Sequence, residues 1–217
     1  MQIFWIIFQR EVLLSFRHFG KILANFLFFL ISVSIFFLVS QNQDDQGSTE
    51  HYSVTIIWFS LLSCLIFSSA EFLKKDFDDG SIEQISLHCE NFEIFILAKM
   101  LGNWLICSLP ILISIFPLSC AIGLNQALAI DFLILIFLAS LAINFICGFC
   151  GSLSVLENSA PMIAVIALPL IIPILLVAYS GLLGEFWMSF RILLGLCIFI
   201  GSISVFASAK IVKIAME

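Results

Sequence analysis

The chain has 217 residues, of which 62% are hydrophobic and only 11% carry charge. A soluble domain of that length needs more charge to cover its surface, so a water-exposed globule is excluded and a lipid-embedded chain is indicated. The formal net charge of -6 decides little, because in a membrane protein the placement of charge outweighs its sum.

Residues 1–20 are apolar but interrupted by Gln2, Gln9, Arg10, Glu11, Arg17 and His18. At about 100° per residue, Arg10, Arg17 and Lys21 fall within about 40° of one another on a helical wheel. Ile3, Ile6, Ile7, Leu13, Leu14 and Phe16 cover much of the rest. The pattern predicts an interfacial helix, with its cations at lipid phosphates and Trp5 at headgroup level. Docking of the same helix on a partner protein is the competing reading.

The first long apolar run, 22–40, is too long for the core of a signal peptide, so a retained span is expected. Further runs follow at 54–72, 100–123, 132–156, 161–183 and 192–209. Each is long enough for the roughly 20 residues that cross a hydrocarbon core of about 30 Å. The runs are continuous rather than alternating, which favours helices over a barrel, the only other way to satisfy a backbone in lipid. The expected fold is therefore all-α and polytopic: about six transmembrane helices in one transmembrane domain over 1–217, with spans one and two in 22–72, a cytoplasmic loop at 73–99, spans three to six in 100–209 and a tail at 210–217.

Cations orient these spans. Arg10, Arg17 and Lys21 precede span one, Lys74, Lys75 and Lys99 lie between spans two and three, and Lys210 and Lys213 follow span six. The loops holding Asp44, Asp45, Glu50 and Asp131 carry none. Eight of the nine cations thus share one side, Arg191 being the exception, and the positive-inside rule puts both termini in the cytoplasm. The loop at Glu157 and Asn158 has no cation and tests nothing.

The loop between spans two and three carries the most information. Asp78-Asp79-Gly80 is a turn signal. Ser81 followed by Gln84 has capping-box spacing, so a short helix should start at Ser81. Ile82, Ile85 and Cys89 would share one face, with Glu83, Ser86 and Glu90 turned away. Asn91 is placed to cap the helix that becomes span three. Two readings stand: a helix that merely joins two spans along the membrane surface, or a coupling helix that passes movement from a cytoplasmic nucleotide-hydrolysing partner to the bundle.

The remaining chemistry is sparse. No Gly-x-x-x-x-Gly-Lys-Ser/Thr loop occurs, since Gly20-Lys21 is followed by Ile22, so ATP would have to be hydrolysed by another polypeptide. The seven cysteines sit mostly in or beside apolar runs and read as small packing residues rather than disulfide partners. Cys147-Gly-Phe-Cys150 has redox-pair spacing, but inside an apolar helix. Haem ligation requires groups such as His, Met, Cys or Tyr. His51 is the one outer histidine in this topology and reads first as a solvated loop residue; His18 and His88 fall on the cytoplasmic side. Ser140, Asn144, Gly148 and Ser152 recur every four residues in span four. Small and polar residues so spaced let another helix approach closely, with Asn144 placed to hydrogen-bond across helices; contact with a substrate is the alternative. Pro110, Pro117, Pro169 and Pro173 interrupt spans three and five, either as bends that aid packing or as hinges. No carboxylate stands clearly in mid-span, so a proton-driven carrier has no obvious relay.

Several strings together resemble one family. They are Phe16-Arg17-His18 before span one, Phe77-Asp78-Asp79-Gly80-Ser81-Ile82-Glu83-Gln84 after span two, Ala98-Lys99 and Leu109-Pro110 at span three, and Pro169 and Pro173 in span five. With them the chain resembles, over nearly its whole length, the haem-exporter B (CcmB) family, the permease component of the cytochrome c maturation transporter. The resemblance implies an ABC-type permease of the bacterial inner membrane, without enzymatic activity of its own and dimeric. It implies a separate ABC ATPase that binds ATP and docks on Asp78, Asp79, Gly80, Ser81, Ile82, Glu83 and Gln84. It further implies two more membrane partners, a haem-handling protein and a small accessory protein, with lipid around the bundle and no nucleic acid. Haem would be the species transported or handled, with no cofactor or metal held by this chain. The tryptophan-rich segment that marks haem-handling relatives is missing, since Trp5, Trp58, Trp104 and Trp187 lie far apart. Two other readings remain: a permease of a different ABC exporter, and a haem-binding or redox membrane protein that acts without ATP through His51 or Cys147 and Cys150.

Overall fold

The structure, a computed structural model, describes residues 2–17, 19–40, 46–69, 73–88, 91–122, 126–157 and 161–216. All regular structure among them is helical: α1 (Gln2–Arg17), α2 (Phe19–Ser40), α3 (Gln46–Ser69), α4 (Lys74–Asp78), α5 (Ser81–His88), α6 (Phe92–Ile122), α7 (Gln126–Glu157), α8 (Pro161–Leu182) and α9 (Phe186–Met216). Four of them hold stretches long and apolar enough to cross a membrane: Phe92–Ile115, Leu128–Val155, Val165–Leu182 and Phe186–Met216. The described apolar parts of α2 and α3, Ile22–Ile35 and Val54–Ser68, are shorter, although the helices run 22 and 24 residues.

Boundaries differ from expectation where helices continue past the apolar run. Hydropathy starts span three at 100, while α6 begins at Phe92, directly after Asn91 where its cap was expected, and α9 extends beyond 192–209 at both ends. Backbone hydrogen bonding favours continuing a helix through amphipathic flanks once it has been nucleated. The five-residue α4 has no counterpart in the sequence reading, being too short for any periodicity to show. The prolines do not end their helices: α6 runs through Pro110 and Pro117, and α8 through Pro169 and Pro173.

At the centre lies α7, in contact with α3, α6, α8 and α9. Lipid supplies no hydrophobic drive between helices, so contact depends on close fit, and small residues provide it. Three neighbours meet α7 through a glycine. A Cβ added to Gly148 would stand 2.9 Å from Met100 Cε of α6. One on Gly181 of α8 would stand 2.7 Å from Leu135 Cδ1, and one on Gly201 of α9 would stand 3.0 Å from Phe145 Cε2. Outward faces are apolar instead, as at Val165, Leu176, Ile198, Phe199 and Phe206. In water such a surface would aggregate; in a bilayer it is the solvated surface.

The bundle has two distinct ends. At one, α1, α4 and the starts and ends of the longer helices gather: α1 touches α6, α4 touches α7, and Lys213 Nζ near the end of α9 lies 5.8 Å from the ring centroid of Phe92 at the start of α6. At the other, α8 turns into α9 within Leu183, Gly184 and Glu185. Gly184 takes φ 114°, a conformation that a side chain would strain. Leu183 N bonds Ser180 O at 3.1 Å, Ser189 N bonds Glu185 O at 3.0 Å, and the Ser180 and Ser189 hydroxyls meet at 3.0 Å. Trp5 at the first end and Trp187 at the second are both exposed, as aromatic side chains are at membrane interfaces.

Candidate functional site

The short helices α4 and α5 form a hairpin between α3 and α6. Gly80 makes the turn, with φ 68°, and its N–H bonds Phe77 O at 3.0 Å. Ser81 begins α5, its hydroxyl donates to Asp76 O at 3.0 Å, and Gln84 N reaches Gly80 O at 3.5 Å. The Ser81 bond closes α5 back on α4. Leu73 and Ile82 are buried and Ile85 is half-buried, which roots the hairpin in the bundle. Asp78, Asp79, Glu83 and Gln84 are exposed. Asn91 O accepts from Ile94 N at 3.2 Å where α6 begins. Cys89 and Glu90 lie outside the described residues.

One carboxylate of the hairpin turns inward. Asp76 Oδ2 accepts a charge-assisted hydrogen bond from Lys99 Nζ of α6. Glu11 of α1 brings Oε2 to 3.9 Å from the same nitrogen, and its Oε1 is buried without a hydrogen-bond partner among the described residues. The side chains of Lys99, Asp76 and Glu11 are only 5%, 19% and 14% exposed. Lys99 also lies 5.9 Å from the Phe95 ring centroid. A lysine that reads from sequence as a topological marker is therefore the meeting point of three helices.

Farther along the same face of α6, four and eight residues beyond Lys99, stand Asn103 and Cys107. Asn103 Nδ2 donates to Asn144 Oδ1 at 3.3 Å, and Asn144 Nδ2 donates to Met100 O at 2.9 Å. Ser68 Oγ of α3 donates to Asn103 Oδ1 at 3.2 Å, and Cys107 Sγ stands 2.8 Å from Ser68 Oγ. Trp104 Nε1 donates to Ser140 Oγ at 3.1 Å. Ser140, Asn144, Gly148 and Ser152 are all buried, and Ser152 Oγ bonds Phe149 O at 2.6 Å within its own helix. The spacing by fours is visible in the sequence of α7; the row Lys99, Asn103 and Cys107 on α6 escapes the sequence reading, although the same interval marks it.

The other chemical candidates stay apart. Cys147 and Cys150 lie buried in α7, as Cys64 does in α3 and Cys197 in α9. The side chains of His18, His51 and His88 lie outside the described residues. Among the described residues, no three His, Cys, Asp or Glu side chains group to hold a metal.

Helices of membrane-crossing length, an inward-facing polar network and a charged hairpin at one end define a polytopic membrane bundle. The family described as CcmB protein matches residues 2–215, and the chain belongs to that family. It is 29% identical over 185 residues to "Heme exporter protein B" of Haemophilus influenzae, covering 83% of this chain and 81% of that protein. It is 28% identical to the Pseudomonas aeruginosa protein of the same name, covering 83% and 80%. The Escherichia coli K12 protein of that name is 33% identical over 110 residues, 51% of this chain and 49% of its own.

Proposed function

We propose that this chain is the non-enzymatic permease component of an ATP-binding-cassette complex serving haem export in cytochrome c biogenesis. The observation that carries the reading is family membership over residues 2–215 together with relatives named for haem export. In this reading α2 and α3 complete six spans in one transmembrane domain of the inner membrane, and both termini face the cytoplasm. The eight cations counted on one side support that orientation.

The α4–α5 hairpin is the contact for a separate ATPase, which carries the ATP. Asp78, Asp79, Glu83 and Gln84 are exposed at its tip, while Gly80, Ser81 and the buried Ile82 hold its shape. Ser140, Asn144, Gly148 and Ser152 act as packing positions that seat α6 against α7. A second copy of the chain, a haem-handling membrane protein and a small accessory protein complete the assembly, with haem as the handled species. Either haem crosses with the help of this chain, or ATP hydrolysis releases a haem-loaded chaperone; haem uptake by vesicles holding the purified complex separates the two.

Replacing Asp78, Asp79 and Glu83 together by lysine should lower ATPase recovered with the membrane chain by about tenfold or more, because charge reversal at a contact costs several kcal/mol. Membrane insertion should be unchanged. Undiminished recovery of the ATPase would overturn the assignment.

A further inference from the structure

We propose that Lys99 is a positioning residue whose ammonium ties the α4–α5 hairpin and α1 to α6, so that a push on the hairpin reaches the bundle; this rests on the hairpin being the ATPase contact. Asp76 is held in two directions. Its side chain accepts from Lys99, and its carbonyl accepts from Ser81 Oγ, the first residue of α5, at 3.0 Å. A displacement of α5 therefore pulls on Asp76, and Asp76 pulls on α6. On the other flank, Glu11 Oε2 lies 3.9 Å from Lys99 Nζ. Beyond Lys99 on α6, a Cβ on Gly102 would stand 3.1 Å from Glu11 Cβ, so α1 is fitted to α6 by shape as well as charge.

Burial makes the tether stiff. A lysine near a helix end usually snorkels to water. This one is 5% exposed and is aimed at carboxylates from two other helices. Separating such a pair costs more than it would in water, because the low dielectric strengthens the attraction and either ion left alone bears its full desolvation penalty. Two carboxylates also face one ammonium, so Lys99 keeps an acidic neighbour in Glu11 when the hairpin shifts. A residue serving only as a cytoplasmic marker needs neither carboxylate.

The test uses the full chain assembled with its cognate ATPase in lipid nanodiscs. It reads the ATPase retained, the thermal midpoint of the membrane chain, and the stimulation of ATP turnover by that chain. The triple variant Glu11→Gln/Asp76→Asn/Lys99→Met removes all three charges at once, so no ion is left buried alone. It should retain the ATPase within about twofold, while stimulation falls by about tenfold, the size of a typical coupling free energy. The swap Asp76→Lys/Lys99→Asp, made together with Glu11→Gln so that the new aspartate meets no like charge, should restore about half of the parental stimulation, because it rebuilds the pair in reverse, whereas Lys99→Met alone should not. Parental stimulation in the triple variant, or a swap with the parental midpoint and no recovery, overturns the proposal. If the triple variant does not fold, the swap decides by the same criterion, and a swap that also fails to fold counts against the tether because reversed charges should still pair. A parent chain that retains no ATPase sinks the docking reading itself.

Discussion

Two polar clusters, one buried and one half-buried, sit on one face of α6, a helical turn apart, and they are built differently. At Lys99 a full charge is matched by Asp76 and Glu11 from two other helices. At Asn103 neutral groups pair: Asn144, Ser68 and Cys107 share hydrogen bonds with it or with each other. The charged cluster lies where short helices meet the bundle. The neutral one lies between long helices that must stay together. The contrast teaches that cost and role run in parallel: a buried ion pair is hard to break and so transmits force, whereas an amide pair is weaker and selects a packing register.

Breaking the charged cluster should give the largest effect. Asp76→Leu leaves the Lys99 ammonium buried without its nearest counter-charge, and removing one partner of a buried pair costs about 3–5 kcal/mol. The measurement is the unfolding free energy of the chain in detergent or bicelles, with the parent beside it; an unchanged value would mean that the lysine finds water. The amide cluster should yield less. Asn144→Leu forfeits its bonds to Asn103 and Met100 O and should cost about 1–2 kcal/mol, since cross-helix hydrogen bonds in membranes average well below the value for ions. A loss as large as that of Asp76→Leu would erase the distinction drawn between the clusters. Smallest of all should be Ser180→Ala, at about 0.5–1 kcal/mol, because a single bond between two neutral hydroxyls, that to Ser189, is lost. A larger loss there would show that the turn, and not the α6 face, is the more demanding polar site.

Much of this is legible from sequence, and the gaps have physical causes. Continuous apolar runs locate α6 to α9, because length and the absence of charge are what a bilayer selects. The hairpin is legible at its turn, where Asp78-Asp79-Gly80 demands one, and at the start of α5 at Ser81. The bond from Ser81 Oγ to Asp76 O is not, because a contact across a turn leaves no mark in the spacing to Gln84. The Lys99 cluster escapes for a related reason. Hydropathy treats a lysine as the edge of a span, and only a fold that brings Asp76 and Glu11 beside it lets the helix carry that charge inward. The start of α6 at Phe92 is legible at Asn91, the expected cap just before it, and not in the hydropathy.

The tight reversal at Gly184 has a consequence of its own. With Leu183, Gly184 and Glu185 the residues between α8 and α9, and two serine hydroxyls joined across the bend, the two helices are pinned at this turn. A shift of one helix at this point therefore drags the end of the other with it. A protease would find no slack strand between Leu182 and Phe186 to cut.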